Sequence, residues 1–150
     1  HIATEGPSIP EEGIEVFTSA YPLLVTYDDA EIADADTVYG LVKVMHLHYE
    51  EYRDAAPGAN GWDMALQQLE SAFIPYHEGA IRYFREIGVW TEEAQTQHEA
   101  NLHRQDVLRD AWETFLPDAP EGYDAFETAW LQFRANALED AGLITLAESS

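Results

Sequence analysis

The alternation of apolar and polar residues changes character along the chain. Residues 1–13 show no periodicity, and their prolines and glycines predict irregular structure. Residues 14–27, "IEVFTSAYPLLVTY", are rich in β-branched, aromatic and aliphatic side chains and are interrupted by Pro22. This composition predicts two short strands with the proline at a bend or an edge, and it is the only good strand signal in the sequence.

From residue 36 onward the apolar residues recur with a helical period. Helices are predicted near 36–55, 62–73 and 78–87, with "PGANG" breaking the chain between the first two. The apolar face predicted for the first helix comprises Val38, Leu41, Val42, Met45, Tyr49 and Tyr52. The chain up to residue 90 therefore combines a short β segment with three helices.

The third predicted helix has an unusual beginning. Glu78 places negative charge in the first turn, where the helix dipole favours it. Gly79 and Ala80 remove side-chain bulk from the same turn, which indicates that another backbone or element lies close. Gly88 is well placed as a left-handed C-terminal cap. We expect His77, directly before the helix, to bond to a packed neighbour or to the helix end, although ligand contact is the alternative.

Residues 91–150 predict a helical hairpin. One helical pattern covers residues 91–116, and a second runs from Tyr123 to Ala137. The break between them contains Asp118 and Glu121, which are spaced like a capping box. Two antiparallel helices joined by a short break form a hairpin. The fold class predicted for the whole chain is α+β and predominantly helical.

The charge balance narrows the range of partners. The 150 residues carry 29 acidic and 7 basic side chains, a formal net charge of -22. Such a surface repels phosphates, so nucleic acids and anionic lipid surfaces are excluded as partners. The chain has no cysteine, which excludes disulfides, thiolate catalysis and cysteine-based zinc sites.

The histidines do not predict a metal centre, and the sequence does not predict an enzyme. His46 and His48 are two residues apart, so they flank opposite edges of a helix face. His98 and His103 are five apart and also diverge, with only His98 on the packing stripe. The sequence contains neither a nucleophile elbow nor a phosphate-binding glycine loop. We therefore predict no catalytic residue, metal or cofactor.

The stretch "PYHEGAIRYFREIG" resembles the closing motif of the TAXI family of solute-binding proteins, the extracytoplasmic receptors of tripartite ATP-independent periplasmic (TRAP) transporters. The matching positions are Pro75, His77, Gly79, Ala80, Tyr83, Phe84, Glu86 and Gly88. Glu78 departs from the family, which commonly has proline there. Two upstream segments match in the same order: Leu24-Val25-Thr26, and Val38 and Tyr39 with Lys43.

The resemblance implies a fold, a partner and a location. Residues 1–90 would be the C-terminal part of a two-lobed α/β periplasmic binding protein of type II-like architecture, and residues 91–150 a helical hairpin extension. The N-terminal half of the receptor would complete the ligand cleft. The protein would lie in the periplasm, bind a small organic solute, such as a carboxylate, and deliver it to the membrane permease subunits of the transporter.

Two functional hypotheses follow at the residue level. In the first, the hydroxyls of Thr18, Ser19 and Tyr21 in "FTSAY" lie beside an inter-lobe strand and contact the ligand, although ordinary strand hydroxyls are the alternative. In the second, the chain is a self-standing acidic helical module that binds other proteins. The stripe available to such a module is Tyr123, Phe126, Trp130 and Phe133, unless these residues form the core of the hairpin.

Overall fold

The computed structural model describes residues 2–3, 14–15, 24 and 33–145, and this part of the chain is predominantly helical. The strands are β1 (Ile2–Ala3) and β2 (Ile14–Glu15). The α-helices are α1 (Ala35–Leu47), α2 (Tyr49–Tyr52), α3 (Glu78–Glu86), α4 (Glu92–Phe115) and α5 (Tyr123–Asp140). Short 3-10 turns cover Ala59–Trp62, Met64–Leu66, Leu69–Ser71 and Leu116–Asp118.

The strands β1 and β2 form an antiparallel pair. Ile2 lies opposite Glu15, and Ala3 lies opposite Ile14. The prediction of irregular structure is therefore wrong at Ile2–Ala3, because pairing with a distant segment overrides the local sequence preference. In the predicted strand region 14–27, the structure describes β2 and Leu24, and Leu24 is irregular and exposed. The other residues of that region lie outside the described part.

The packing divides the chain into two compact units. The first consists of residues 1–68 together with Glu78–Tyr83, and the second consists of Leu69–His77 together with residues 84–150. The chain thus passes from one unit to the other within α3. The sequence suggests a boundary at residue 90 because the family resemblance ends there. The two units, in contrast, are defined by packing alone.

Helix α1 begins at a side-chain cap. The carboxylate of Asp34 accepts the backbone N–H groups of Asp36 and Thr37, each at 2.9 Å. Hydrogen bonds from the backbone and the hydroxyl of Thr37 lower the pKa of Asp34. The helix predicted over 36–55 is interrupted at His48, which separates α1 from α2. The hydroxyl of Tyr52 donates to the carbonyl of Met45 near this break, at 2.9 Å.

One residue that the sequence assigns to the packed face of α1 lies on its exposed side. Leu41, which the sequence places on the packed face, is 48% exposed, and Val44 and Leu47 are exposed with it. The side that packs against α3 includes Tyr39 and His46 instead. At roughly 100° per residue, Leu41 lies about 160° from Tyr39 around the helix axis. The other residues of the predicted face are half-buried. The assignment is therefore wrong at Leu41 alone, and α1 also carries apolar residues on its exposed side.

The helix predicted over 62–73 is absent from the structure, which has short 3-10 turns there. Polar side chains satisfy the backbone locally instead. The Asp63 carboxylate accepts the N–H of Ala65, and the Gln67 side chain donates to the carbonyls of Gly61 and Asp63. Such bonds compete with a helical ladder, and an apolar period alone does not reveal them.

Helix α3 follows its sequence pattern closely. Ile81 and Phe84 are buried, whereas Arg82 and Arg85 are exposed. The helix ends at Glu86, and Gly88, two residues later, has a left-handed φ of 73°. The N–H groups of Gly88 and Val89 donate to the carbonyls of Arg85 and Phe84, which is the Schellman arrangement.

Helices α4 and α5 form a hairpin with an aromatic core. The ring of Phe115 lies 5.4 Å from those of Phe126 and Trp130 and 5.5 Å from that of Phe133, between centroids. Tyr123, the fourth residue of the predicted stripe, is 78% exposed. The predicted capping box is wrong: α5 begins at Tyr123, and its N-cap residue, Gly122, provides no side-chain cap. Gly122 has a positive φ of 93°, a conformation that glycine adopts readily.

Candidate functional site

The first turn of α3 lies directly against the first turn of α1. A Cβ atom added to Gly79 would stand 2.3 Å from the carbonyl oxygen of Ala35 and 2.8 Å from the amide nitrogen of Tyr39. Ala80, the next residue, is buried. The backbones therefore touch at this point, and only a residue without a side chain fits between them.

Tyr83 is the most deeply buried aromatic residue beside this contact. It is 1% exposed, and its hydroxyl lies 2.8 Å from Nδ1 of His46. The rings of Tyr39 and His46 pack edge-on against it, with centroids 5.7 and 5.8 Å away. His46 is thus used in packing and in one hydrogen bond, as expected for a histidine at the boundary of an apolar face.

Two cations gather at Tyr39 in this acid-rich chain. Lys43, which is the only lysine, donates to the Tyr39 hydroxyl at 2.8 Å. The guanidinium of Arg82 lies 4.2 Å from the centre of the Tyr39 ring and also bonds to Asp36 at 2.8 Å. The Arg82–Asp36 pair is solvent-exposed, so it adds little stability. The arrangement places two cationic side chains and one carboxylate beside the α1–α3 contact.

In the second unit, three side chains of α4 hold the segment 72–76, which we call the entry segment because it leads to His77 and α3. Asn101 donates to the carbonyls of Ala72 and Ile74 at 2.8 and 3.1 Å. Gln97 also donates to Ala72, at 3.0 Å. Asn101 is buried, and these bonds satisfy its amide.

His98 makes the third contact with the entry segment. The backbone N–H of Tyr76 donates to Nδ1 of His98 at 3.1 Å. Because a backbone N–H can only donate, Nδ1 carries a lone pair, and the proton of the neutral ring is on Nε2. Burial lowers the pKa of His98; Glu99 opposes this shift, and Arg85 adds to it. His98 is therefore a neutral acceptor at neutral pH.

An aromatic group surrounds this bond. Trp90 packs edge-on against Tyr76 and His98, with centroids 5.4 and 5.9 Å away, and it stacks on Phe84 at 6.3 Å. Its indole N–H donates to Gln95 at 2.9 Å. Burial raises the pKa of the Tyr76 hydroxyl. Tyr76, at the end of the entry segment, therefore packs against aromatic rings, and side chains of α4 bond to the backbone of the segment.

The predicted site residues fall into three groups. Thr18, Ser19 and Tyr21 lie outside the described residues, so their role as ligand contacts stays a prediction. Gly79 and Ala80 lie in the first unit, in the α1–α3 contact. The other three predicted site residues lie in the second unit: half-buried Pro75 and His77 shortly before α3, and Gly88 shortly after that helix.

Sequence reasoning missed two of the residues that organise this region, Gln97 and Asn101. Both are polar residues within an amphipathic helix and therefore look like solvent-facing positions. Their i,i+4 spacing is the one sequence signal, because such a pair shares one helix face. In the structure the two side chains bond to each other at 3.1 Å. Their backbone partners lie at least 25 residues earlier in the chain and leave no local pattern.

Within the described ranges, no three histidine or carboxylate side chains come together in a way that could hold a metal ion. His46 faces Tyr83, whereas His48 pairs with Glu51 at 2.8 Å on the exposed side. None of the helices in the described residues combines the length and the apolar character needed to span a membrane.

Neither the curated proteins nor the solved structures contain a match to the chain. A match to a protein family does exist, and it covers residues 11–88, just over half of the sequence. This family comprises binding proteins of the periplasmic solute-binding type, related to those of TRAP and ABC transporters. The matched region runs through α1 and α3 and stops at the glycine that terminates α3. The chain therefore belongs to the NMT1-like family.

Proposed function

We propose that this protein is the extracytoplasmic solute-binding subunit of a TRAP transporter of the TAXI type, and that it works in the periplasm. The observation that carries the proposal is the match of residues 11–88 to the NMT1-like family, whose members are binding proteins rather than enzymes. Within that region, the three segments that resemble TAXI receptors occur in the same order as in the TAXI family. The ligand is a small organic carboxylate.

The contact between α1 and α3 supports this role because it provides a rigid base. At Gly79 the two backbones approach too closely for any side chain, and buried Tyr83 ties α3 to His46 of α1. A binding residue is most effective when the element that carries it is fixed. The segment with Thr18, Ser19 and Tyr21 precedes α1 in the chain.

Hydroxyl groups are suitable contacts for a carboxylate because they donate hydrogen bonds without adding charge. We assign this role to Thr18, Ser19 and Tyr21. The fold is a two-lobed α/β receptor of which residues 1–90 form a C-terminal part, and an N-terminal lobe supplies the rest of the cleft, including an arginine that pairs with the carboxylate. Binding closes the lobes about a hinge, and the permease subunits recognise the closed form.

Calorimetric titration of the full-length protein, at the length its gene encodes, tests the proposal. The probes are L-glutamate and 2-oxoglutarate. We expect one of them to bind with a stoichiometry of one. Tyr21→Phe and Thr18→Ala each remove one hydroxyl, and we expect each to weaken binding about tenfold, equivalent to roughly 1.4 kcal/mol. Binding of neither probe would contradict the carboxylate class.

Two matched variants serve as controls. Tyr123→Phe removes a hydroxyl from a highly exposed tyrosine, and Thr114→Ala removes one that bonds within α4. Both should bind the probe as the parent does. If a probe binds and the Thr18 and Tyr21 variants bind it equally well, the solute-binding function stands and the site assignment is wrong.

The alternative function, a protein-interaction module that uses the α5 stripe, has less support. Phe126, Trp130 and Phe133 each contact Phe115 within the hairpin, so they already have partners. Of the stripe, Tyr123 alone is highly exposed. A single exposed ring does not form a docking surface.

A further inference from the structure

The bonds between α4 and the entry segment differ in their response to protons. Gln97 and Asn101 are amides and keep their hydrogen-bonding character at all physiological pH values. His98 accepts the Tyr76 N–H through a lone pair on Nδ1, and a proton taken up there removes that lone pair. The protonated ring would then present an N–H to the N–H of Tyr76, and two donors cannot bond to each other.

We propose that His98 is a proton-sensitive latch: protonation of Nδ1 releases the backbone of Tyr76 and loosens the end of the entry segment from α4. The latch does not depend on the proposed solute-binding role. The release is local, because the bonds of Asn101 and Gln97 to Ala72 and Ile74 do not titrate and keep the start of the segment in place.

The charged groups around the latch come from each element packed against it. Glu99 on α4 favours the protonated ring, whereas Arg85 on α3 disfavours it. Glu70, at the start of the second unit, acts on the Tyr76 hydroxyl. Burial outweighs these charges and lowers the pKa of His98 below its ordinary value of 6.5.

The direction of the pH effect follows from that lowered pKa. A histidine that binds protons less readily in the folded state stabilises the fold fully above its unfolded pKa of about 6.5. As the pH falls below this value, the unfolded chain takes up the proton first, so the stabilisation decreases. It is lost once the pH has passed through the lowered folded-state pKa. The latch is therefore closed at neutral pH and open in acid.

Amide hydrogen exchange of Tyr76, followed by NMR on the full chain at pH 7.5 and pH 5.0, tests the latch directly. Protection factors corrected for intrinsic exchange should fall about fivefold or more in the parent. In His98→Asn they should change less than about twofold, because the Asn oxygen replaces the Nδ1 acceptor and does not titrate. His103→Asn, an exposed position on the same helix, should behave like the parent.

Equal losses of protection in the parent and in His98→Asn would overturn the proposal. The ring nitrogens offer a second measurement that needs no variant. ¹⁵N shifts of His98 at pH 7.5 should show the tautomer protonated at Nε2, and Nδ1 should gain its proton below pH 6.5. A ring that carries its proton on Nδ1 at pH 7.5 cannot accept the Tyr76 N–H, and the latch would then be excluded.

Discussion

The contact between α1 and α3 and the contact between α4 and α5 both join two helices, but they use opposite extremes of side-chain size. At the first, Gly79 lets two backbones meet, with no room even for a methyl group. At the second, Phe115 lies among three aromatic rings from α5 whose centroids are 5.4–5.5 Å away. One contact depends on the absence of a side chain, and the other depends on the presence of four.

This difference determines how each contact fails. A backbone contact cannot shift to accept a Cβ atom without moving a helix, so added volume is its weakness. An aromatic cluster shares its energy among several ring pairs, so removed volume is its weakness, and the cost depends on how deeply the lost ring is buried. An added carbon atom should therefore destabilise the α1–α3 contact more than the α4–α5 contact. The removal of carbon atoms should destabilise the α4–α5 contact more.

The largest effect is expected from Phe115→Ala. It removes a buried ring from the centre of the hairpin core, which should lower the free energy of unfolding by about 3–5 kcal/mol. Urea denaturation followed by tryptophan fluorescence and circular dichroism measures it. Tyr123→Ala, on the exposed part of the same stripe, is the control and should cost less than about 0.5 kcal/mol. Similar losses for both variants would show that the hairpin has no aromatic core.

The next effect is expected from Gly79→Ala. Inside a helix this substitution ordinarily stabilises by up to about 1 kcal/mol, but here the new Cβ atom would stand 2.3 Å from the Ala35 carbonyl oxygen. We expect a net loss of about 1–3 kcal/mol. Gly40→Ala on α1 is a matched control, because nothing lies within 4 Å of its Cβ position, and it should stabilise the protein. Thermal melts of the two variants should shift in opposite directions, and a shared direction would refute the backbone contact.

The smallest effect is expected from Tyr83→Phe. The change keeps the buried ring but removes the hydroxyl that lies 2.8 Å from His46, which should cost about 1 kcal/mol. Tyr123→Phe, at an exposed ring, should be neutral. The same denaturation assay measures both. If Tyr83→Phe is as stable as the parent, the α1–α3 contact rests on steric fit at Gly79 alone, and the hydrogen bond adds nothing to it.

The elements that the sequence predicts well are those whose apolar period persists. Helix α3 with its Gly88 cap and the two helices of the hairpin are of this kind. The prediction fails where polar side chains bond to nearby backbone, as Asp63 and Gln67 do in the region 62–73. It fails again at Leu41, because α1 is apolar on two sides and a period cannot reveal which side is covered.

For the candidate site, the sequence indicates that something lies close to Gly79 but cannot identify Ala35 and Tyr39 as the neighbours. The bonds from Gln97 and Asn101 to the entry segment could not be predicted, because backbone carbonyls far along the chain have no sequence signature. The roles of Thr18, Ser19 and Tyr21 stay predictions.

The hydrogen bonds from α4 to the backbone of the entry segment have an evolutionary consequence. Gln97 and Asn101 bond to main-chain oxygens, and every amino acid presents the same oxygen. Mutational drift at positions 72 and 74 therefore leaves those anchor points intact, as long as the new side chains fit. Helix α4 tolerates variation in a segment that it nevertheless holds in place. A protein engineer can use the same property to graft other side chains onto these two positions without redesigning the helix.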